Sequence, residues 1–114
     1  MSVVIYHNPR CSKSRQTLTL LEENSIKPQI KEYLKQPPTA QELKQVLKLL
    51  GIKAHELLRK KEPEYKSLGC SPAMSEEQLI DIMVANPKLI ERPIVISGGK
   101  AAIGRPPEAV LEIL

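Results

Sequence analysis

The amino-acid sequence predicts an α/β domain with the element order β-α-β, then a block of helices, then β-β-α. Two runs rich in β-branched residues, SVVIYHN near the start and PIVIS near the end, are typical of buried strands. The leucines between them recur at helical spacing, and the Gly98–Gly99 pair after PIVIS is typical of a tight hairpin.

The first three elements are expected to form a β-α-β unit. The strand SVVIYHN is followed by a helix that begins at or just after Cys11 and carries Leu18 and Leu21 on one face. After Pro28, the segment QIKEYL is the second strand. Because a helix connects the two strands, we expect them to be parallel with a right-handed crossover.

The middle of the chain, roughly residues 37–90, is predicted to be an all-helical insertion between the second and third strands. Capping boxes start two of its helices, and an apolar stripe at helical spacing follows each of them. The signals are a capping box at Thr39–Glu42, a glycine stop at Gly51, the helical segment AHELLRKK, and a capping box at Ser75–Gln78 before a helix that ends at Asn86–Pro87.

The last three elements are two strands and a helix. PIVIS and KAAIG are expected to pair as antiparallel strands across the two glycines. The segment RPPEAVLEIL places two prolines at a helix start, with Val110, Ile113 and Leu114 as its buried stripe. The 114 residues are therefore predicted to form a single domain, residues 1–114.

Composition and charge exclude several classes of protein. No apolar run approaches the roughly 20 residues that a membrane-spanning helix needs, and the N-terminus does not resemble a signal peptide. We therefore expect a cytoplasmic protein with no membrane partner. The net charge of +4 comes without a basic stripe or an aromatic stacking platform, so no nucleic-acid partner is expected either.

The cysteines and histidines do not form a metal-binding pattern. Cys11 and Cys70 are far apart, and together with His7 and His55 they lack the spacing of a zinc finger. Neither a metal nor a tightly bound cofactor is therefore expected.

Cys11 is the candidate nucleophile. It lies in the stretch HNPRCSKSR, at the predicted start of a helix and beside Arg10, Lys13 and Arg15. Free N–H groups at a helix N-terminus and nearby cations both stabilise a thiolate and lower its pKa. Most cysteines are small buried apolar residues. The cationic neighbours favour a reactive thiolate here.

Ser14 determines which thiol can resolve an oxidised Cys11. The C-x-x-S spacing cannot close a disulfide within the motif, so the partner must be an external thiol or Cys70. The motif also lacks the C-x5-R loop of low-molecular-weight phosphatases, because Thr17 stands where the arginine would be. Any oxyanion must therefore be held by arginines from elsewhere.

Three distant arginines are candidates for holding an oxyanion, namely Arg59, Arg92 and Arg105. Most arginines are simply solvated, so the grouping depends on topology. In a β-α-β…β-β-α fold of the thioredoxin type, Pro93 is the expected cis-proline that faces the cysteine of the first helix. Arg92 immediately precedes it.

These motifs together resemble the ArsC family, the glutaredoxin-coupled arsenate reductases. The likeness extends over nearly the whole chain. It rests on the segments IYHNPRCSKSRQTL, LLRKKEPEY, LIERPIV and the GRP before the last helix. The resemblance implies a thioredoxin-like fold with an all-helical insertion, in agreement with the element order above.

The resemblance also implies roles for individual residues. The nucleophile maps onto Cys11 and the cysteine-activating histidine onto His7. The three oxyanion-binding arginines map onto Arg59, Arg92 and Arg105. Ser14 and Arg15 match the family's substrate-binding loop.

The implied reaction is reduction of arsenate to arsenite through a thiol-arsenate adduct on Cys11. Glutathione attacks the adduct as co-substrate, and glutaredoxin then resolves the mixed disulfide. Phosphate has the same shape and charge, so it is expected to compete without turnover. Cys70 is expected to be a passive thiol of the insertion.

Two alternative functions share parts of this pattern. A glutathione-dependent thiol reductase would need Cys11 but would tolerate loss of Arg59 and Arg105. An Spx-like regulator binds RNA polymerase and senses oxidation through C-x-x-C, a motif that Ser14 interrupts.

Overall fold

The computed structural model describes residues 3–114 and contains one four-stranded mixed sheet. Strand order across the sheet is second, first, third, fourth. The strands are β1 (Val3–Tyr6), β2 (Gln29–Lys31), β3 (Ile94–Ser97) and β4 (Lys100–Ile103). This β-α-β…β-β-α topology confirms the predicted thioredoxin-like α/β fold.

The N-terminal half of the sheet is the predicted β-α-β unit. Helix α1 (Ser12–Glu23) connects β1 to β2, and the two strands are parallel, with Ile5 opposite Ile30. The structure therefore confirms both the parallel pairing and the start of the helix directly after Cys11.

The C-terminal half is the predicted hairpin. Strands β3 and β4 pair antiparallel from Ile94↔Ile103 to Ser97↔Lys100, so the turn is the two-residue pair Gly98–Gly99. Gly98 has a φ of 60°, which a II′ turn requires at its first central position and which glycine adopts without strain. Strand β3 also pairs antiparallel with β1, which places the residue before β3 beside the loop that follows β1.

The sheet buries one face against α1 and a C-terminal 3₁₀ helix (Pro107–Ile113). Ile5, Leu21, Val95 and Val110 are fully buried in this core. The last element was predicted as a helix with Leu114 in its buried stripe. The structure instead ends the helix at Ile113 and leaves Leu114 40% exposed, because its chain position lies beyond the last turn that packs on the sheet.

Residues 37–91 form a second compact unit that is helical. Its elements are α2 (Ala40–Leu50), α3 (Ala54–Leu57), α4 (Pro63–Ser67), α5 (Glu76–Ala85) and a 3₁₀ helix (Pro87–Leu89). Capping boxes at Thr39–Glu42 and Ser75–Gln78 start α2 and α5 as predicted. Gly51 ends α2 with a φ of 69°.

The segment AHELLRKK is only half helical. Helix α3 ends at Leu57, and Leu58 is extended because it makes an antiparallel bridge with Ile90. Helix α4, which begins with a proline at its first turn, was not predicted from the sequence.

Among residues 3–114, no helix combines the length and the apolar character that are needed to cross a membrane.

Candidate active site

Cys11 lies at the N-cap position of α1, at the end of the loop that leaves β1. Its backbone N–H donates to the carbonyl of Asn8 at 3.0 Å, and its own carbonyl accepts from the N–H of Arg15 at 3.0 Å. These two bonds hold the residue in an extended conformation with the thiol half-buried at the helix start.

The surroundings of the thiol favour its anionic form. Burial raises the pKa of Cys11, but the N–H of Ser14, the hydrogen bond and charge of Arg92, and the N–H of Lys13 together lower it below its ordinary value. The backbone donors are the unpaired amides of the first helical turn, and the guanidinium supplies a full charge. The position of Cys11 therefore favours the thiolate, the form in which a cysteine reacts as a nucleophile.

Two of the predicted arginines, Arg92 and Arg105, lie at this thiol. Nη2 of Arg105 is 3.7 Å from the sulfur of Cys11, and Nε of Arg105 donates to the carbonyl oxygen of Arg92 at 2.8 Å. Both arginines precede prolines through cis peptide bonds, Arg92–Pro93 and Arg105–Pro106. The cis bond at Pro93 confirms the prediction from topology, whereas the one at Pro106 was not predicted.

His7 and Ser14 form a buried pair beneath the loop. Nδ1 of His7 lies 2.7 Å from Oγ of Ser14, which also accepts from the N–H of Asn8 at 3.0 Å. The N–H of Ser14 faces the sulfur of Cys11, so His7 is connected to the thiol through Ser14. This geometry favours a role for His7 in positioning the loop, and its predicted role in activating Cys11 stays a prediction.

The surroundings of His7 favour its neutral imidazole. Burial lowers the pKa of His7 below its ordinary value; the carboxylate of Glu32 opposes this effect and the charge of Arg15 adds to it. His7 is 6% exposed, so protonation would place a charge where water cannot reach it.

Asn8 has a structural role that the sequence pattern did not single out. Its side-chain oxygen accepts from the N–H of Arg10 at 3.0 Å, while its backbone binds both Cys11 and Ser14. The signal was present in the sequence, since an Asn-Pro pair is a common turn initiator.

Arg15 is exposed on the first turns of α1. Its Nη1 donates to the carbonyl of Pro9 at 2.9 Å, which fixes the guanidinium against the loop before Cys11. The predicted role of Arg15 in substrate binding stays a prediction.

Gly104 permits the close approach of three segments at the site. A Cβ at this position would lie 2.5 Å from Oγ1 of Thr17 and 2.8 Å from Cγ of Pro93. The N–H of Gly104 also donates to the carbonyl of Pro93 at 2.9 Å. Only glycine therefore allows β4 to end against both α1 and Pro93, directly before Arg105.

Arg59, the third predicted arginine, belongs to the helical unit. Its Nη1 lies 2.8 Å from a carboxylate oxygen of Glu91, and its Nε lies 3.5 Å from that of Glu62. The backbone N–H of Arg59 donates to the carbonyl of Leu89 at 2.8 Å. The guanidinium is thus held by two half-buried carboxylates that the sequence pattern had not identified.

Cys70 is also in the helical unit, where it is 8% exposed and its N–H donates to the carbonyl of Tyr65 at 3.0 Å. Both Cys70 and Cys11 are free thiols. Across the described part of the chain, no group of three or more His, Cys, Asp or Glu side chains could hold a metal ion.

Comparisons with known proteins agree with the motifs. A model of the ArsC family matches residues 6–113. The uncharacterized protein YfgD of Escherichia coli K12 is 58% identical over 114 residues, which cover 98% of this chain and 96% of that one. The arsenate reductase of Haemophilus influenzae Rd is 51% identical over 116 residues, with 100% of both chains covered.

A similar solved structure is the arsenate reductase from Vibrio cholerae. It is 52% identical, and it superposes with a TM-score of 0.97 over 100% of this chain and 98% of that one.

Proposed function

The chain belongs to the ArsC family, and from this premise we propose that it reduces arsenate to arsenite with Cys11 as the nucleophile. The observation that carries the proposal is the surroundings of the Cys11 thiol. Its sulfur lies 3.7 Å from a guanidinium nitrogen of Arg105, and Arg92 lowers its pKa. The names of the relatives from H. influenzae and V. cholerae, both arsenate reductases, support the choice of substrate.

In the first step the Cys11 thiolate attacks the arsenic of arsenate. A sulfur–arsenic bond forms, one hydroxyl of dihydrogen arsenate takes the proton of the other and leaves as water, and arsenic stays pentavalent. The charge that builds on the arsenate oxygens lies where Arg92 and Arg105 can donate from planar guanidinium groups. Arg59 is proposed as the third donor of this set.

In the second step the thiolate of glutathione attacks the sulfur of Cys11. The sulfur–arsenic bond breaks and its electron pair stays on arsenic, which leaves as trivalent arsenite. A disulfide between Cys11 and glutathione forms, so the two sulfurs lose the two electrons that arsenic gains. Glutaredoxin then restores the Cys11 thiolate by thiol–disulfide exchange.

An external thiol is part of the proposal because of the residue at position 14. Ser14 has no sulfur, and its hydroxyl is already engaged with His7 and Asn8. The C-x-x-S motif therefore leaves the second thiol to a co-substrate. Phosphate matches arsenate in shape and charge but is not reduced by thiols, so it should bind as a competitor only.

The test is a coupled assay in which arsenate-dependent NADPH oxidation is followed with glutathione, glutathione reductase and glutaredoxin. We expect activity that requires all three and arsenate, that phosphate inhibits competitively, and that Cys11→Ser abolishes. Persistence of the activity in Cys11→Ser would overturn the assignment of the nucleophile. Reduction of a glutathione mixed disulfide without any arsenate-dependent rate would instead identify a thiol reductase.

A further inference from the structure

Helix α1 begins without a capping hydrogen bond from the side chain of its N-cap residue, Cys11. A serine, threonine or asparagine at the N-cap ordinarily accepts a bond from one of the free N–H groups of the first turn. Here the N–H groups of Lys13 and Ser14 act instead on the sulfur of Cys11 and lower the pKa of its thiol. The helix start is therefore left open for the thiolate, and other groups must hold the turn in place.

Asn8 holds this turn with three of its atoms. Its N–H donates to Oγ of Ser14, and its carbonyl oxygen accepts from the N–H of Cys11, both at 3.0 Å. Its side-chain oxygen accepts from the N–H of Arg10, also at 3.0 Å. The first two bonds use the backbone, which any residue at position 8 supplies. Only the third bond depends on the side chain of Asn8.

The side-chain bond of Asn8 fixes the backbone on both sides of Pro9. A bond from an asparagine side-chain oxygen to the N–H two residues later is an Asx turn, which holds the chain in a turn conformation. Pro9 stands between the two bonded residues, and its ring fixes its own φ. Together they set the direction in which the chain reaches Cys11, and so where its sulfur lies relative to the first-turn N–H groups of α1.

The side chain of Asn8 is also neutral. An aspartate side chain forms the same kind of turn, so the turn alone does not require an amide. Asn8 is 8% exposed, and a carboxylate at this position would be a buried negative charge three residues before the thiolate. Because a like charge disfavours the ionised form of its neighbour, an amide supplies the turn without this repulsion.

We propose that Asn8 is a positioning residue for the nucleophile: its neutral amide fixes the turn that holds Cys11 beside the free N–H groups of α1 and adds no charge that opposes the thiolate. This inference rests on the proposed function, in which Cys11 is the nucleophile. Asn8 acts through the position and ionisation of Cys11 and not through a bond to the substrate.

Two substitutions separate the turn from the charge. Asn8→Ala removes the side-chain acceptor, whereas Asn8→Asp keeps an acceptor and adds a negative charge. The readout is the pH profile of alkylation by iodoacetamide, an uncharged reagent, with the label on Cys11 quantified by mass spectrometry. The reduced protein is used without arsenate, and cooperative urea unfolding verifies that each variant is folded.

Both substitutions should move the midpoint of the profile to higher pH. At a pH below the wild-type midpoint, the alkylation rate of Cys11 should fall about three- to tenfold. Above all midpoints Asn8→Asp should react about as fast as wild type, because the added charge changes the ionisation of the thiol and not its accessibility. A loss of structure alone would not produce this convergence.

Asn8→Ser and Asn24→Asp are the matched controls. A serine hydroxyl forms the same kind of turn more weakly and without a charge, so Asn8→Ser should recover part of the rate that Asn8→Ala loses. This comparison tests the turn even where Asn8→Asp does not fold. Asn24→Asp makes the same charge change at the exposed C-cap of α1, and it should leave the midpoint unaltered.

The outcomes separate this inference from the proposed function. A wild-type profile in Asn8→Ala would show that Asn8 does not position Cys11, and equal profiles in Asn8→Asp and Asn24→Asp would show that its neutrality has no effect. Either result overturns the inference and leaves arsenate reduction standing, because the assay contains no arsenate. Shifted profiles in a protein without arsenate-dependent activity would support the role of Asn8 and refute the proposed substrate.

Discussion

Oγ of Ser14 lies 2.7 Å from Nδ1 of His7, and both side chains are buried. The same oxygen accepts from the N–H of Asn8 at 3.0 Å, so one hydroxyl links α1 to the loop that precedes Cys11. The position of Cys11 therefore depends on Ser14. In the sequence, the C-x-x-S spacing draws attention to this residue only because it is not a second cysteine.

Removing the hydroxyl of Ser14 should destabilise the protein more than removing a hydroxyl elsewhere in α1. We expect Ser14→Ala to lower the free energy of unfolding by about 1–3 kcal/mol, because a buried N–H loses its acceptor. Thr17→Val is the matched control: Thr17 is also fully buried, but its hydroxyl donates only to the carbonyl of Lys13 one turn earlier. Urea unfolding measures both, and equal losses would contradict a special role for Ser14.

The reactivity of Cys11 should depend on Arg92. Because the hydrogen bond and charge of Arg92 lower the pKa of Cys11, Arg92→Met should move the midpoint of the alkylation-rate profile to higher pH. Arg10→Met removes the same charge from the exposed residue next to Cys11 and should move the midpoint less. An equal shift in both variants would indicate general charge rather than the contact.

Arg92→Lys separates charge from geometry in the same experiment. An ammonium restores the charge but not the fork of planar donors, so it should recover part of the alkylation profile. The KM for arsenate in the coupled assay should remain raised. Normal saturation with arsenate in this variant would count against a direct contact with the oxyanion.

The stability of the protein should fall as the pH is lowered through the range in which His7 titrates. Burial holds the pKa of His7 below its ordinary value, so the unfolded chain takes up this proton at a higher pH than the folded one. The stability that the neutral imidazole contributes is therefore fully present above about pH 6.5, the pKa of histidine in the unfolded chain. It is lost as the pH falls through the lower pKa of His7 in the folded protein.

His7→Asn should flatten that dependence in urea unfolding between neutral and mildly acidic pH. His55→Asn is the control, since His55 contacts Tyr65 in the helical unit. The prediction is wrong if His7→Asn and wild type lose stability in parallel.

Gly104→Ala should destabilise the protein by about 1–3 kcal/mol, because its methyl group meets Thr17 and Pro93. Gly99→Ala places the same group where no atom lies within 4 Å, and its effect on thermal unfolding should be small. Thr17→Ala, combined with Gly104→Ala, should recover part of the loss by removing the nearest atom. Additive losses would show that Thr17 is not the obstacle.

Cys70→Ser should leave the arsenate-dependent rate nearly unchanged, whereas Cys11→Ser should abolish it. Cys70 is buried in the helical unit, and no step of the proposed reaction uses its sulfur. The coupled assay compares the two variants directly. A comparable loss in both would make Cys70 the resolving thiol.

Strong local signals predicted most of the fold. The capping boxes at Thr39–Glu42 and Ser75–Gln78 and the glycine pair of the hairpin each determine backbone geometry within four residues. Helix α3 ended early because Leu58 pairs with Ile90, a contact between residues far apart in sequence that no local pattern reveals.

The site was predicted in its chemistry more than in its geometry. The helix start and the cations beside Cys11 in the sequence pointed to an activated thiol. In the structure the backbone N–H groups of Ser14 and Lys13 and the distant Arg92 lower its pKa. The order of elements placed Pro93 beside it. The bond from His7 to Ser14, the role of Gly104 and the carboxylates around Arg59 follow from three-dimensional packing between distant segments. Residue type alone did not distinguish these residues from solvated or turn residues.

The occupation of position 14 by a buried serine has a consequence for electron supply. A chain with two cysteines at this spacing can store a pair of electrons and remain reduced between encounters with its reductant. Ser14 instead links the helix to the loop, so the motif stores no electrons. In the proposed reaction every turnover would therefore draw on thiols in solution at that moment. The rate of the proposed reaction would then follow the concentration of reduced thiols around the protein.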